Sequence, residues 1–405
     1  MTSLQSSATA RHAAPVRSMR LAMLGTRGVP AAYGGFETAV EEIGRRLVEQ
    51  GHEVTVYGRA VDGSAPKEHL GMRCVNLPAL HVKSLETLSH TALSAAHLAA
   101  SRRHDVAFVF NAANAPFVPL IRSRGAAIAL HVDGLEWKRQ KWGKWGRRYY
   151  RMAEQTAVRE ADALIADARG IQDYYDDEFG IPTELISYGT KILRHTPSDL
   201  IEQMGLVPGA FHLVVARFEP ENHVDVIVEG YHRSNARLPL VVVGSAPYSA
   251  AYTQSIRRVA ERDDRIRLLG GVWDARLLDQ LYAHAASYLH GHSVGGTNPS
   301  LLRAMGAGTP VLAWDVVFNR EVAGTGASYF DRAPQLSRQI EEVERYPMRF
   351  ADLGELMQER ARKRYDWDQV TEAYEALAAK LSRGYSTRGM STGRRTDSAL
   401  SLIHI

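Results

Sequence analysis

The chain has 405 residues, 45% of them hydrophobic, and a formal net charge of +4, which allows two or three domains with real cores. The surplus positive charge lies mainly in the two ends, because residues 1–17 carry two Arg and no acid, and residues 383–405 carry four Arg and one Asp. The remainder is close to neutral, so overall charge does not support nucleic-acid binding. A single cysteine, Cys74, excludes an internal disulfide and a multi-cysteine zinc site, and fits a reducing cytoplasm.

Both ends of the chain are expected to lie outside the folded body. Residues 1–18 are rich in Ser and Ala but lack the apolar run of a secretion signal, which indicates a disordered leader. Residues 383–405, rich in Gly, Ser, Thr and Arg, predict a disordered tail. Residues 400–405 match one reading frame of a transposase end sequence used in DNA-library preparation, so they carry no functional argument. No segment approaches the roughly 18 apolar residues of a membrane-spanning helix.

Alternating apolar runs and helical patterns predict two α/β domains built on parallel sheets. At the head of the chain a strand over 20–25, a helix over 36–50 closed by Gly51, and a strand over 52–58 form a βαβ unit. Further strands are predicted at 106–110, 126–131, 163–166, 211–216, 239–244, 266–270, 286–290 and 310–314. We expect two Rossmann-like, doubly wound domains, 19–205 and 206–364, that face each other across a cleft.

The loop after the first strand is rich in glycine and reads G-T-R-G-V-P-A-A-Y-G-G-F-E-T from Gly25 to Thr38. It lacks the dinucleotide fingerprint, and no acid sits suitably at the end of the second strand, which disfavours a dehydrogenase. Gly34 and Gly35 precede a helix start and would let the backbone approach a ligand closely. A flexible turn is the alternative.

Two features follow in the first half. His131 ends an apolar strand, where it could bond a sugar hydroxyl or sense a phosphate, although a lone His is more often structural. Residues 137–151 contain seven basic side chains, three Trp and two Tyr, and no acid. A helical face carrying Trp142 and Trp145, continued by Tyr149 and Met152, suits an anionic membrane surface. An ordinary solvated helix explains it equally well, and nothing else supports single-stranded nucleic acid.

Two segments of the second half suit a diphosphate. Arg217 follows the first strand of this half and can hold a phosphate bidentately. The strand ending near His290 leads through a glycine turn to Asn298-Pro299, a favoured N-cap and first helical residue. The amides at such a helix start, together with the helix dipole, attract phosphate. An ordinary strand-to-helix turn is the alternative.

The order of residues in His290–Met305 and Gly25–Thr38 resembles family 4 glycosyltransferases, most closely a bacterial branch that includes rhamnosyltransferases of surface-polysaccharide assembly. The resemblance implies a GT-B fold, with a helix over 365–382 packing back on the first domain. It implies retaining, metal-independent transfer of rhamnose or another hexose from a dTDP-, UDP- or GDP-linked donor to a lipid-linked or polysaccharide acceptor. No cofactor is expected, and the enzyme is expected in the cytoplasm or on the inner face of the cell membrane.

The resemblance also assigns roles to residues. The expected catalytic residues are His131 and Arg217. The expected donor-binding residues are Gly34, Gly35, Asn222, Gly295, Gly296, Thr297, Asn298, Ser300, Leu301 and Arg303. The expected acceptor or membrane side comprises Tyr33, Glu37, Lys138, Arg139 and Trp142. No metal site is expected, because Asp366 and Asp368 of the only D-x-D lie in a helical region, and His290 and His292 lack a third ligand nearby.

Three positions differ from the usual family pattern, but the nearer branch shares Asn222 and the loss of the first Glu, so Arg303 is the true departure. Asn222 stands where family 4 enzymes usually have Lys, and Gly295 and Arg303 stand where they usually have the two Glu of E-x7-E. Losing the second Glu removes an acceptor for the ribose hydroxyls, so Arg303 either weakens donor binding, turns to the diphosphate, or points to solvent. Two other functions stay open: a nucleotide-sugar epimerase of the same fold, or, because Arg303 replaces the usual Glu, a weakly active or non-catalytic nucleotide-binding partner.

Overall fold

The computed structural model describes residues 17–31, 34–60, 65–80, 86–132, 134–139, 142–244, 250–391 and 393–394. The strands of the first domain are β1 Arg20–Leu24, β2 Glu53–Arg59, β3 Glu68–His69, β4 Met72–Leu77, β5 Val106–Phe110, β6 Ala127–Val132, β7 Ala163–Ala166 and β8 Glu184–Leu185. They form one sheet in the order β3-β4-β2-β1-β5-β6-β7-β8, in which only the β3–β4 pair is antiparallel. The central strand β5 is buried along its whole length, as an apolar run in a parallel sheet requires.

Helices cover both faces of this sheet. They are α1 Gly35–Glu49, α2 Glu86–Ala100, α3 Val118–Arg122, α4 Lys144–Glu160 and α5 Arg169–Phe179. Helix α1 follows from its spacing of apolar residues, because Ala39, Val40, Ile43 and Leu47 fall on one face and are buried. Residues 112–117 and 136–138 form short 3-10 helices.

The second domain has a six-stranded, fully parallel sheet. Its strands are β9 His212–Val215, β10 Leu240–Val243, β11 Ile266–Gly270, β12 Ser287–His290, β13 Val311–Trp314 and β14 Ser328–Phe330. The order is β11-β10-β9-β12-β13-β14. The remaining helices are α6 Asp199–Gln203, α7 Val224–His232, α8 Ala250–Ala260, α9 Ala275–Ala283, α10 Pro299–Ala307, α11 Val317–Ala323, α12 Ala333–Arg345, α13 Pro347–Arg364 and α14 Trp367–Ser382. The predicted α/β class with two doubly wound, Rossmann-like halves is confirmed. Among the described helices, none is long and apolar enough to cross a membrane.

Helix α14 returns to the first domain. The ring of Tyr374 lies 5.1 Å from that of Phe108 on β5. Glu375 Oε1 accepts a hydrogen bond of 3.0 Å from Nε2 of His52. Asp366 caps this helix through its side chain, which accepts from the amides of Asp368 and Gln369. The D-x-D pattern is therefore a helix start.

The chain after α14 is ordered against the first domain, which corrects the disordered tail predicted from residue 383. The amide of Thr387 donates to the carbonyl of Asp162 at 2.7 Å, and Ser391 Oγ donates to the carbonyl of Phe179 at 2.6 Å. Arg394 pairs with the buried Glu154 of α4 at 3.2 Å. These partners lie more than 200 residues away, so local composition cannot reveal them. Residues 395–405, with the suspected artefact, and the leader up to residue 16 lie outside the described residues.

Candidate functional site

The two predicted motifs meet where the carboxyl ends of β1 and β12 face each other across the cleft. A Cβ added to Gly35, at the start of α1, would lie 2.7 Å from Cγ of Pro299, the first residue of α10. Only a residue without a side chain fits this close approach. The loops of the two domains also touch where Gly134 packs on the backbone of Gly295. The structure is thus a closed arrangement of the two domains.

Helix α10 starts as its sequence predicts. Asn298 caps it, with Oδ1 accepting from the amide of Ser300 at 2.9 Å, and Pro299 follows at the first helical position. The Ser300 amide is therefore engaged by the cap, whereas it was expected to hold the diphosphate. The amide of Leu301 has no partner among the described residues. It remains the amide at this helix start that a phosphate can use.

The glycine turn before α10 is held by the first domain. Thr297 donates its amide to Oδ2 of Asp167 at 3.0 Å and its hydroxyl to the Asp167 carbonyl at 2.6 Å. A Cβ on Gly296 would collide with the same carboxylate, and Gly295 has φ +131°, which favours glycine. Thr297 therefore fixes the turn to the residue that follows β7. Sequence reasoning missed Asp167, although an acid directly after a buried strand was a usable signal.

Two arginines from different domains share one carboxylate at the cleft. Arg217, 44% exposed at the side chain, lies 3.6 Å from Oε1 of Glu219, and Arg139 from the first domain lies 3.8 Å from Oε2. Arg139 also pairs with Glu136 at 2.5 Å and is buried. Arg139 was predicted on the acceptor or membrane side. Its burial against these two carboxylates is incompatible with a membrane-facing position, and the acceptor side stays a prediction.

Asn222 joins the end of β9 to the loop between β12 and α10. Its Nδ2 donates to the Arg217 carbonyl at 2.7 Å, so its Oδ1 is the atom that accepts from Nδ1 of His292 at 2.6 Å. This pattern assigns the proton of the neutral imidazole to Nδ1 and leaves Nε2 as an acceptor. Burial, and then the positive charge of Arg139, hold the pKa of His292 well below its ordinary value. His292, set aside as a metal ligand, belongs to the site.

His131 lies at the cleft end of β6 in an aromatic cage. Its ring lies 5.2 Å from Phe36, 5.8 Å from Phe110 and 5.7 Å from Tyr188. Burial lowers its pKa to about 3, so the imidazole is neutral near pH 7. Nδ1 has no hydrogen-bond partner among the described residues. The side chain can exchange a hydrogen bond with a ligand but does not carry charge.

Of the other predicted residues of the first loop, Glu37 has structural contacts. Glu37 accepts from the amide of Arg27 at 3.0 Å, and its carboxylate fills the space above Gly34. Tyr33 lies outside the described residues.

Arg303 faces neither solvent alone nor the turn before α10. Its guanidinium donates to Oδ1 of Asp279 at 2.7 Å and 3.1 Å and to the carbonyl of Ala275 at 2.9 Å. It also lies over the ring of Tyr282, with 5.6 Å from its central carbon to the ring centroid. Helix α9 therefore supplies the hydrogen-bond acceptors for Arg303, which stands where the family usually has Glu.

The predicted basic and aromatic face is split by the fold. Trp142 donates to Glu136 at 3.2 Å, Tyr149 donates to the Ala113 carbonyl at 2.7 Å, and Lys138 lies 5.5 Å from the ring of Trp137. Burial lowers the pKa of Lys138. Trp145 stays 83% exposed, so only part of the predicted surface is open.

Glu221 is a further residue that the sequence did not single out. It is 4% exposed, and neither carboxylate oxygen has a hydrogen-bond partner among the described residues. Its carbonyl accepts hydrogen bonds from the amide and the hydroxyl of Ser293, which connects Glu221 to the loop between β12 and α10. Within the described ranges, no three His, Cys, Asp or Glu side chains are grouped as metal ligands.

Comparisons with known proteins agree with this geometry. Residues 19–191 match the family model "Domain of unknown function (DUF1972)", and residues 211–343 match "Glycosyl transferases group 1". No curated protein matches the chain in sequence.

Among solved structures, sucrose-phosphate synthase from Thermosynechococcus elongatus is similar with a TM-score of 0.75 and 20% identity, covering 90% of this chain and 99% of that one. Anabaena HepE in complex with UDP-glucose is similar with a TM-score of 0.72 and 16% identity, covering 89% and 100%. The α,α-trehalose-phosphate synthase (UDP-forming) from Burkholderia vietnamiensis gives a TM-score of 0.65 at 11% identity, covering 89% and 99%. The chain thus has the GT-B architecture, and its second half carries a glycosyl transferase group 1 domain, which makes the protein a glycosyltransferase.

Proposed function

We propose that this glycosyltransferase transfers a hexose, such as rhamnose, from a nucleoside-diphosphate donor to a lipid-linked or polysaccharide acceptor, with retention of the anomeric configuration and without a metal. The observation that carries the proposal is that the α10 start lies against the Gly35 loop, while Asn222 joins the Arg217 carbonyl to His292 in the loop that leads to α10. The UDP-glucose complex of the similar HepE supports a nucleotide-sugar donor.

In the proposed site, the donor diphosphate lies against the start of α10. The Leu301 amide and the helix dipole attract its negative charge, and Arg217 binds it through charged hydrogen bonds. Because the Asn298 cap fixes the start of α10 before substrate binds, the Leu301 amide is already oriented to stabilise the diphosphate as it leaves the sugar.

Arg139 is proposed to supply the second cation that Asn222 does not. Its guanidinium reaches the same Glu219 that holds Arg217, so two positive groups flank one carboxylate. An incoming diphosphate competes with Glu219 for both arginines. Since Arg139 belongs to the first domain, this part of the donor site is complete only when the domains are closed.

Two buried side chains, His131 and Glu221, are proposed to form hydrogen bonds with hydroxyl groups of the donor. His131 is proposed to bond a sugar hydroxyl through its unpartnered nitrogen, because a neutral ring in an aromatic cage favours an uncharged partner. Glu221 is proposed to accept from another hydroxyl, since a buried carboxylate without a partner is costly. Such a bond would replace part of what the missing Glu at position 303 supplies in related enzymes.

Transfer is tested by incubating the protein with dTDP-rhamnose, UDP-glucose and GDP-linked sugars plus a lipid-linked acceptor, with chromatography of the released nucleoside diphosphate. We expect turnover with one donor class, unchanged by EDTA, and a product with the donor's anomeric configuration by NMR. Arg217→Gln should lower kcat/KM at least tenfold, whereas the exposed Arg258→Gln should not. No turnover and no nucleotide-induced stabilisation across the panel would refute the proposal, and isomerisation without acceptor would assign an epimerase.

We further propose that α4 rests on an anionic membrane. Lys144, Trp145, Arg148, Arg151 and Met152 are exposed on one face of this helix, on which no acidic side chain is exposed. A basic face with an apolar Trp and Met suits the headgroup region of a bilayer.

Binding to vesicles of phosphatidylglycerol tests this surface. The triple variant Lys144→Gln, Arg148→Gln, Arg151→Gln should bind more weakly by about 1 kcal/mol per charge at low salt, with unchanged folding by circular dichroism. The matched control removes the exposed Arg257, Arg258 and Arg262. Equal loss in both variants, or wild-type protein that ignores the vesicles, would end the membrane proposal.

A further inference from the structure

A cavity of about 280 Å³ opens at the opposite edge of the first sheet from the cleft. This cavity, the β2–α2 pocket, lies between the C-terminal end of α2 and the N-terminal ends of β1 and β2. Because the strands are parallel and the cleft lies at their carboxyl ends, the length of a strand separates the two sites. None of the residues assigned to the donor site lines this pocket.

Positive charge dominates the wall of the β2–α2 pocket. Arg20, Arg73 and Arg102 line it, against one carboxylate, that of Glu53. Within the described part of the chain, none of these three guanidinium groups forms an ion pair. Arg73 and Arg102 are exposed and Arg20 is half-buried, so all three guanidinium groups can donate to an anion that enters the cavity.

The buried floor of the pocket offers hydrogen-bond groups. His104 is 8% exposed, its Nε2 lies 3.4 Å from Oγ1 of Thr55, and its ring is also hydrogen-bonded to the backbone of Arg102. Tyr57 adds a hydroxyl 3.2 Å from Nδ1 of His97. Burial, and then the charge of Arg20, lower the pKa of His104, so this ring adds no positive charge to the pocket near pH 7.

We propose that the β2–α2 pocket binds a small phosphate-type anion. Planar guanidinium forks match the oxygens of a phosphate. The volume lies just below the usual range for drug-sized ligands, so a phosphate monoester or pyrophosphate fits better than a whole nucleotide-sugar. This site is independent of the proposed donor site and of the transfer reaction.

The test is calorimetric titration of the full chain with inorganic pyrophosphate. Because the cleft is also expected to bind pyrophosphate, the titration is run on wild-type protein, on Arg217→Gln, and on the double variant Arg20→Gln, Arg73→Gln. We expect two classes of site in wild-type protein. The double variant should lose one class by at least tenfold and keep the other, and Arg217→Gln should do the reverse.

A matched control separates the pocket from general charge. Arg257→Gln, Arg258→Gln removes two exposed arginines from α8 and should change neither class. The milder Arg102→Gln, at the exposed rim, serves if the double variant unfolds, and Arg73→Lys should restore part of the binding. A single class that Arg217→Gln abolishes, or equal weakening in the pocket variant and the control, would overturn the pocket proposal while leaving the donor site intact.

A lipid headgroup is a second source of the same phosphate monoester chemistry. Vesicles containing phosphatidic acid distinguish it, because binding that falls in the pocket variant and is displaced by pyrophosphate assigns the site to the headgroup. Vesicle binding that depends only on α4, together with the calorimetric loss, assigns the pocket to a free anion.

Discussion

Replacing Gly134 by Ala should block closure of the cleft while leaving each domain folded. A Cβ at this position would lie 3.0 Å from the carbonyl carbon of Gly295 and 3.2 Å from its nitrogen, and closer still to its Cα. Backbone atoms cannot yield as a flexible side chain does, so the two loops must separate by roughly 1 Å to regain ordinary contact. Because Gly295 belongs to the turn before α10, the donor would be displaced relative to the first domain.

A displacement of this size is expected to lower kcat by about 100-fold, since misplacement by roughly 1 Å can cost that factor. Turnover is measured as nucleoside diphosphate release, and the fold is checked by thermal unfolding. Gly143→Ala is the control from the same segment, because a Cβ there would meet no atom within 4 Å. A Gly134→Ala enzyme with kcat within threefold of wild type would refute the closed arrangement as the active one.

Three further substitutions have defined outcomes. Asn222→Asp sets a carboxylate against His292, which should raise the pKa of that imidazole and make donor affinity depend on pH; a calorimetric profile as flat as that of the wild type would contradict the bridge. Arg303→Glu opposes Asp279 and should lower Tm by several degrees, whereas an unchanged Tm would deny the pair. Burial raises the pKa of Glu154 from 4.5 to about 7, so the folded state retains a proton that the unfolded chain releases, and this group makes stability fall as pH rises through that range. Glu154→Gln should flatten that part of the unfolding profile, and superimposable wild-type and variant profiles would contradict the assignment.

The architecture follows from local patterns that the sequence displays. A fully apolar run such as β5 has to be buried on both faces, and Asn298-Pro299 both caps and starts α10, so periodicity and capping chemistry locate these elements. The short strands β3 and β8, of two residues each, carry no such pattern.

Contacts between distant segments could not be predicted in the same way. Arg139 lies in a basic stretch that indicates a surface, yet Glu219, eighty positions later, helps to hold it in the cleft. The pairing of Thr297 with Asp167, and of Arg303 with Asp279, likewise depends on how the sheets bring loops together. Residues 383–391 read as a polar tail because their partners are carbonyls and carboxylates of the first domain, which composition does not show.

The central claim is that one cleft holds the donor diphosphate between the start of α10 and the two arginines. A crystal structure of the protein with a bound nucleoside-diphosphate sugar tests it most directly. We predict the diphosphate within hydrogen-bond distance of the Leu301 amide and of the guanidinium groups of Arg217 and Arg139, with Glu219 displaced from at least one of them. A diphosphate bound elsewhere, with both arginines still paired to Glu219, would contradict the account.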